Sequence, residues 1–98
     1  MHVAIHHRIT DPQKWEQGTK NIMTILEQGR LPQGLKALMF LPCVDGRNAG
    51  CLWEANSMET LKSFVERESG GGAKNQYFQI KDAQAIELPG QVELSKAA

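Results

Sequence analysis

Four side chains in this sequence are of types that bind a small molecule and move a proton: His6, Arg8, Trp53 and Tyr77. Histidine titrates near neutral pH and serves as general acid or base. Arginine is a fixed cation and, if buried, demands a carboxylate or an anionic ligand. Tryptophan and tyrosine offer flat apolar walls. His6 and Arg8 fall two apart on one strand, so they share a face, opposite Val3 and Ile5. We therefore read His6 and Arg8 as the catalytic pair and Trp53 and Tyr77 as ligand-binding walls of one pocket.

The other reactive side chains read as structural. His2 shares a face with His6, whereas His7 projects the other way, and both are expected to be solvated or locally hydrogen-bonded. The three histidines of the chain all lie on this strand, at a spacing that fits no metal motif, so no metal is assigned. No cofactor is assigned either. Cys43 and Cys51 flank a turn at the same parity. A disulfide would need their Cα atoms within about 7 Å, and the expectation is two free thiols behaving as small apolar residues. The run from Ser69 to Lys74 is glycine-rich, but it follows a helix and precedes a strand. A phosphate loop does the reverse, so this run reads as a flexible helix exit.

The elements that must position these groups follow from periodicity. Strand one covers His2 to Ile9. Asp11 and Pro12 start a helix that runs to about Gln28 and ends on Gly29 in the left-handed region. Its apolar stripe holds Trp15, Ile22, Ile25 and Leu26, with Gly18 beside it where a close approach would favour glycine. Strand two, Leu35 to about Val44, is apolar on both faces. Pro42 places it at a sheet edge, and an apolar edge strand needs cover. Asp45-Gly46 turns the chain into strand three, Ala49 to Ala55. Asn56, with Glu59 three residues on, is expected to cap a second helix that carries Met58, Leu61, Phe64 and Val65 inward and ends near Glu68. Strand four is placed at Gln76 to Ile80, and a short helical turn at Asp82 to Ile86. Residues 1–88 then make one α+β domain, and 89–98 a C-terminal tail.

Composition sets the outer bounds. The 98 residues carry 11 basic and 11 acidic side chains, and 41% are hydrophobic. Such a balanced chain has no electrostatic footprint for nucleic acid or an anionic membrane. No stretch reaches the ~20 apolar residues of a membrane span. The N-terminal residues lack a signal-peptide pattern, and two cysteines are too few for a secreted disulfide scaffold. The reading is a cytoplasmic protein.

The βαββαβ order, together with the segment "CLWEANSMETLKSFVE", resembles the dimeric α/β-barrel superfamily and its antibiotic-biosynthesis-monooxygenase-like members. In these a tryptophan-glutamate pair closes the third strand, where Trp53-Glu54 stands here. The resemblance implies a ferredoxin-like sandwich, with a four-stranded antiparallel sheet, two helices on one face, and a homodimer formed sheet to sheet. It also implies a ligand cavity between sheet and helices in each subunit. The histidine often found early in the second helix of such proteins has no counterpart between Met58 and Val65. Fold likeness alone does not select a reaction.

These readings converge on a homodimeric small-molecule-binding domain. It is a candidate cofactor-independent enzyme, monooxygenase- or isomerase-like, acting on an aromatic or carbonyl ligand. Its alternatives are a non-catalytic interaction or regulatory module, using strand two or the "QVEL" of the tail to extend a partner's sheet, and a haem-handling protein. The dimer face is expected to carry Ala37, Met39 and Leu41. An open cavity would favour the first reading, and a filled interior the second.

Overall fold

A computed structural model describes residues 1–88, and the tail expected at 89–98 lies outside the described residues. The chain forms β1 (His2–Ile9), α1 (Pro12–Glu27), β2 (Leu35–Pro42), β3 (Asn48–Ala55), α2 (Met58–Glu68), β4 (Ala73–Gln79) and a short 3-10 turn at Asp82–Gln84. The four strands make one antiparallel sheet in the order β2-β3-β1-β4. The architecture is therefore α+β, four antiparallel strands with two helices. Among the described residues, no helix is long and apolar enough to cross a membrane.

Both helices lie on one side of the sheet. Val3 and Ile5 of β1, Trp53 and Ala55 of β3, Ile25 of α1, and Leu61, Phe64 and Val65 of α2 form a single buried cluster. Strand alternation fixes which residues join it, because successive side chains point to opposite faces. Trp53 meets Phe64 edge to face at a centroid distance of 5.9 Å.

Helix ends follow local chemistry, with one shift from expectation. The Asp11 carboxylate accepts from the Lys14 N–H, and Pro12 opens α1. At the far end, Gly29 has φ +64. Its N–H donates to the Leu26 carbonyl and that of Arg30 to the Ile25 carbonyl, which makes a Schellman closure. In α2 the cap is Ser57, not Asn56: the Ser57 hydroxyl accepts from the Thr60 N–H. Asn56 instead sits against Gly34, where an added Cβ would come within 2.3 Å of its side chain.

Two further expectations change. β4 begins at Ala73, three residues earlier than Gln76, and ends at Gln79. A β-bulge in β2 between Ala37 and Met39 inserts Leu38 as an extra residue. Ala37 thus stands beside Trp53 on the helix side, while Met39 and Leu41, beside Leu52 and Gly50, take the open face. The expected dimer-face trio is therefore split, because a bulge reverses parity beyond it.

The glycine-rich exit of α2 is a packed corner. Gly72 accepts backbone hydrogen bonds from Thr10 and Asp11 at 2.9 and 3.1 Å. A Cβ on Gly72 would lie 2.3 Å from the Trp15 nitrogen, and one on Gly18 would lie 2.3 Å from the Ser69 carbonyl oxygen. The start of α1 and the end of α2 thus meet backbone to backbone. Alanine is intrinsically better than glycine in a helix by ~1 kcal/mol. At Gly18 the contact with a backbone carbonyl must reverse that sign, because neither chain can yield. We expect Gly18→Ala to destabilise the fold by roughly 2 kcal/mol, measured as a lower urea midpoint. An unchanged or higher midpoint would show that the corner is not tight.

Candidate functional site

The four residues expected to share a pocket occupy two faces of the sheet. His6 pairs in register with Gly50 and Gln76, and Arg8 with Asn48 and Lys74. Both are exposed on the open face. Trp53 stands beside Val3, and Tyr77 beside Ile5, on the helix side. The structure therefore brings His6 and Arg8 together, and places Trp53 and Tyr77 on the other side. The inward residues of β1 have odd numbers, and the histidine among them is His7. His6 instead contacts the Asn48 side-chain carbonyl at 2.9 Å. The Asn48 amide donates in turn to Asp45. Asp45 also accepts from the backbone N–H groups of Arg47 and Asn48, and the first of these leads the lowering of its pKa.

A partly open cavity of about 240 Å3 lies between α1 and strands β2 and β3. Trp15, Ile22 and Leu26 wall it from the helix, Phe40 and Trp53 from the sheet, and among the described residues no charged side chain lines it. Trp15 and Phe40 stand 6.2 Å apart by ring centroid. His7 and Cys51 supply its main polar feature, with Thr19 and Ser69 also on the wall.

His7 is 3% exposed and is held by a chain of hydrogen bonds that run in one direction. A carboxylate only accepts. Glu66 accepts from the Asn75 amide and, at 2.8 Å, from the Tyr77 hydroxyl. The Asn75 carbonyl then faces His7 and accepts from Nδ1–H. With its proton on Nδ1, the imidazole presents a bare Nε2 to the Cys51 thiol, 2.8 Å away, and the thiol donates to it. Trp15 covers the ring at a centroid distance of 4.9 Å.

Burial sets the charge states. It lowers the His7 pKa, only partly offset by the Asn75 hydrogen bond; His6 lowers it further, and Glu66 acts in the opposite sense. Burial also pushes the Cys51 thiol up to about 11. It raises the Tyr77 pKa as well, reinforced by its bond to Glu66. At neutral pH the resting pair is a thiol and a neutral imidazole, and Tyr77 keeps the proton it donates.

Cys51 does not face Cys43. It pairs with Phe40, whereas Cys43 is exposed past the end of β2, and both are free. Among the described residues no three His, Cys, Asp or Glu side chains gather as a metal-binding group. No protein-family model matches the chain, and no curated protein matches it.

A buried neutral histidine has a measurable signature. The unfolded chain protonates this ring below about pH 6.5, while the folded chain resists. Stability contributed by His7 is thus present above that pH and lost as the pH falls. We expect the drop in urea midpoint between about pH 7.5 and about pH 5.5 to shrink in His7→Gln. An equal drop in both proteins would mean that His7 titrates normally in the folded state.

Proposed function

We propose that this chain is a small-molecule-binding domain, and a candidate enzyme, whose neutral aromatic or carbonyl ligand occupies the cavity beneath α1. His7 is its proton-transfer group. One observation carries the reading: an imidazole of fixed tautomer, with its basic nitrogen directed at the wall of an apolar cavity. Apolar pockets with a few converging polar groups are the usual form of ligand sites, and an oriented neutral imidazole is suited to general base work. An open cavity also favours this reading over an interaction module with a filled interior. Among the described residues a ligand carboxylate or phosphate would find no charged side chain on the cavity lining, which favours a ligand uncharged where it is enclosed.

The probe is 2-naphthol, a neutral aromatic of suitable shape. We expect it to shift the indole N–H resonance of Trp15 in a saturable titration, and Ala37→Phe, which fills the cavity from β2, to abolish the shift. A titration without saturation, or one unaffected by Ala37→Phe, would refute cavity binding.

We further propose that the fold is ferredoxin-like and that the chain works as a homodimer closed sheet to sheet, as a dimeric α/β barrel. The pairing of β1 and β3 at the centre supports this, as does a second face that carries no helix among the described residues. Leu41 and Phe78 stand on that face 57% and 52% exposed, beside Ala4 and Leu52, while Met39 also reaches the cavity lining. Exposed apolar surface of this extent favours a partner, and burial recovers ~25 cal/mol per Å2. His6 and Arg8 then belong to the interface instead of the ligand site. Sedimentation equilibrium at micromolar concentration is expected to show a dimer, and the Leu41→Lys, Phe78→Lys double variant a folded monomer. A wild-type monomer would end the proposal.

A further inference from the structure

We propose that Cys51 is a nucleophile that adds to α,β-unsaturated carbonyl compounds held in the cavity, with His7 taking and then returning its proton. This rests on the cavity being a ligand site and assigns the reaction and ligand class that the binding reading leaves open. With Nδ1–H given to Asn75, the free nitrogen of His7 is Nε2. That nitrogen is occupied by the Cys51 sulfur at 2.8 Å, so a ligand entering the cavity meets the thiol with its base already in place. Nucleophile, base and orienting groups form one connected series: Cys51, His7, Asn75, Glu66. Such a series defines an activated nucleophile by geometry and roles. A thiol serving only to pack needs neither an aligned acceptor nor an acceptor whose own tautomer is fixed two residues back. Cys51 and His7 both line the cavity, so an enclosed ligand can touch the sulfur with the ring beside it.

The ligand class follows from the charge that each reaction would create. Acyl transfer builds a localised oxyanion that is best met by a cation or a convergent set of aligned donors; among the described residues no charged side chain lines this cavity, and beyond His7 and Cys51 its polar side chains are only Thr19 and Ser69. Conjugate addition spreads the developing charge over an enolate, and the imidazolium formed in the same step lies beside it. The step is balanced. The sulfur forms a bond to the β-carbon as its proton passes to Nε2, and the C=C π pair moves toward the carbonyl oxygen. The imidazolium then delivers that proton to the α-carbon. The net change is addition of S–H across the double bond, with no oxidant or reductant. Reversal by the same path releases the ligand.

Cys51 is faced by the Trp53 side chain, a hydrogen-bond partner that favours the thiolate less strongly than burial opposes it, and by Tyr77. His7 is faced by Trp15 from α1, Cys51 from β3, Asn75 from β4 and, through Asn75, the Glu66 carboxylate of α2, with His6 next to it on β1. None of these is a cation that would stabilise a free thiolate at rest. The thiol stays protonated until a ligand arrives, and its reactivity depends on the neutral imidazole and not on the thiolate fraction.

That dependence gives the test. In a Cys43→Ser background, alkylation of Cys51 by N-phenylmaleimide is followed by mass spectrometry across pH. Attack by thiolate alone quickens about tenfold per pH unit below the thiol pKa. Proton transfer to His7 predicts instead a rate that is nearly flat from about pH 7 to about pH 9. At about pH 7 it should be about 100-fold faster than in His7→Gln, with the variant regaining the steep slope. The wild-type profile decides the matter even if His7→Gln folds poorly. A steep wild-type profile, or no adduct at Cys51, overturns the assignment. If 2-naphthol still binds in that case, the cavity reading stands and only the nucleophile falls. If it does not bind, both fall.

Discussion

Backbone packed on backbone, at the corner where the start of α1 meets the exit of α2, is the contact on which the rest of the molecule depends. Gly18 and Gly72 make it possible, since a Cβ at either would collide with main-chain atoms of the opposing segment. Hydrogen bonds from Thr10 and Asp11 to the Gly72 carbonyl tie the end of β1 to the same corner. With α1 pinned there, its later turns reach out over β2 and β3, and Thr19, Ile22, Met23 and Leu26 roof a cavity instead of a filled core. The corner also sets Trp15 against His7. Fold and site thus share one anchor.

The polar chain behind the cavity shows how a nearly uncharged pocket can hold a directed proton acceptor. Its one formal charge, on Glu66, is exposed at the surface, and its influence reaches inward through hydrogen-bond direction. The carboxylate orients an amide, the amide fixes a tautomer, and the tautomer aims a lone pair. Each buried polar group on this path has a partner, as the cost of leaving one unpaired requires. Tyr77, expected as an aromatic wall, contributes by its hydroxyl, which shares Glu66 with Asn75.

Much of the fold was legible from the residues. Alternation in β1, the Asp11-Pro12 start, the Gly29 stop and the stripe of α2 each express a local rule, and each appears in the structure. The site was harder. Parity alone puts His7 with Val3 and Ile5, and Cys51 with Trp53, so that half is readable from the sequence, whereas the His6–Arg8 pair lies on the opposite face. Asn75 and Glu66 carry no such signal. Their meeting depends on how α2 lies over β4, and neither periodicity nor spacing specifies that. The bulge was equally hidden, because β2 is apolar on both faces and its pattern has no alternation for an extra residue to disturb.

That bulge has a consequence for how the protein can change over evolutionary time. Phe40 faces the cavity and Leu41 faces outward only because Leu38 takes an additional place in the strand. Point substitutions can therefore tune the interior and the exterior of β2 one at a time. Loss or gain of a single codon there would exchange the two, presenting the interior's aromatic to the outside and Leu41 to the cavity. Descendants of this sequence can drift in residue identity along β2, but its length is held by two surfaces at once.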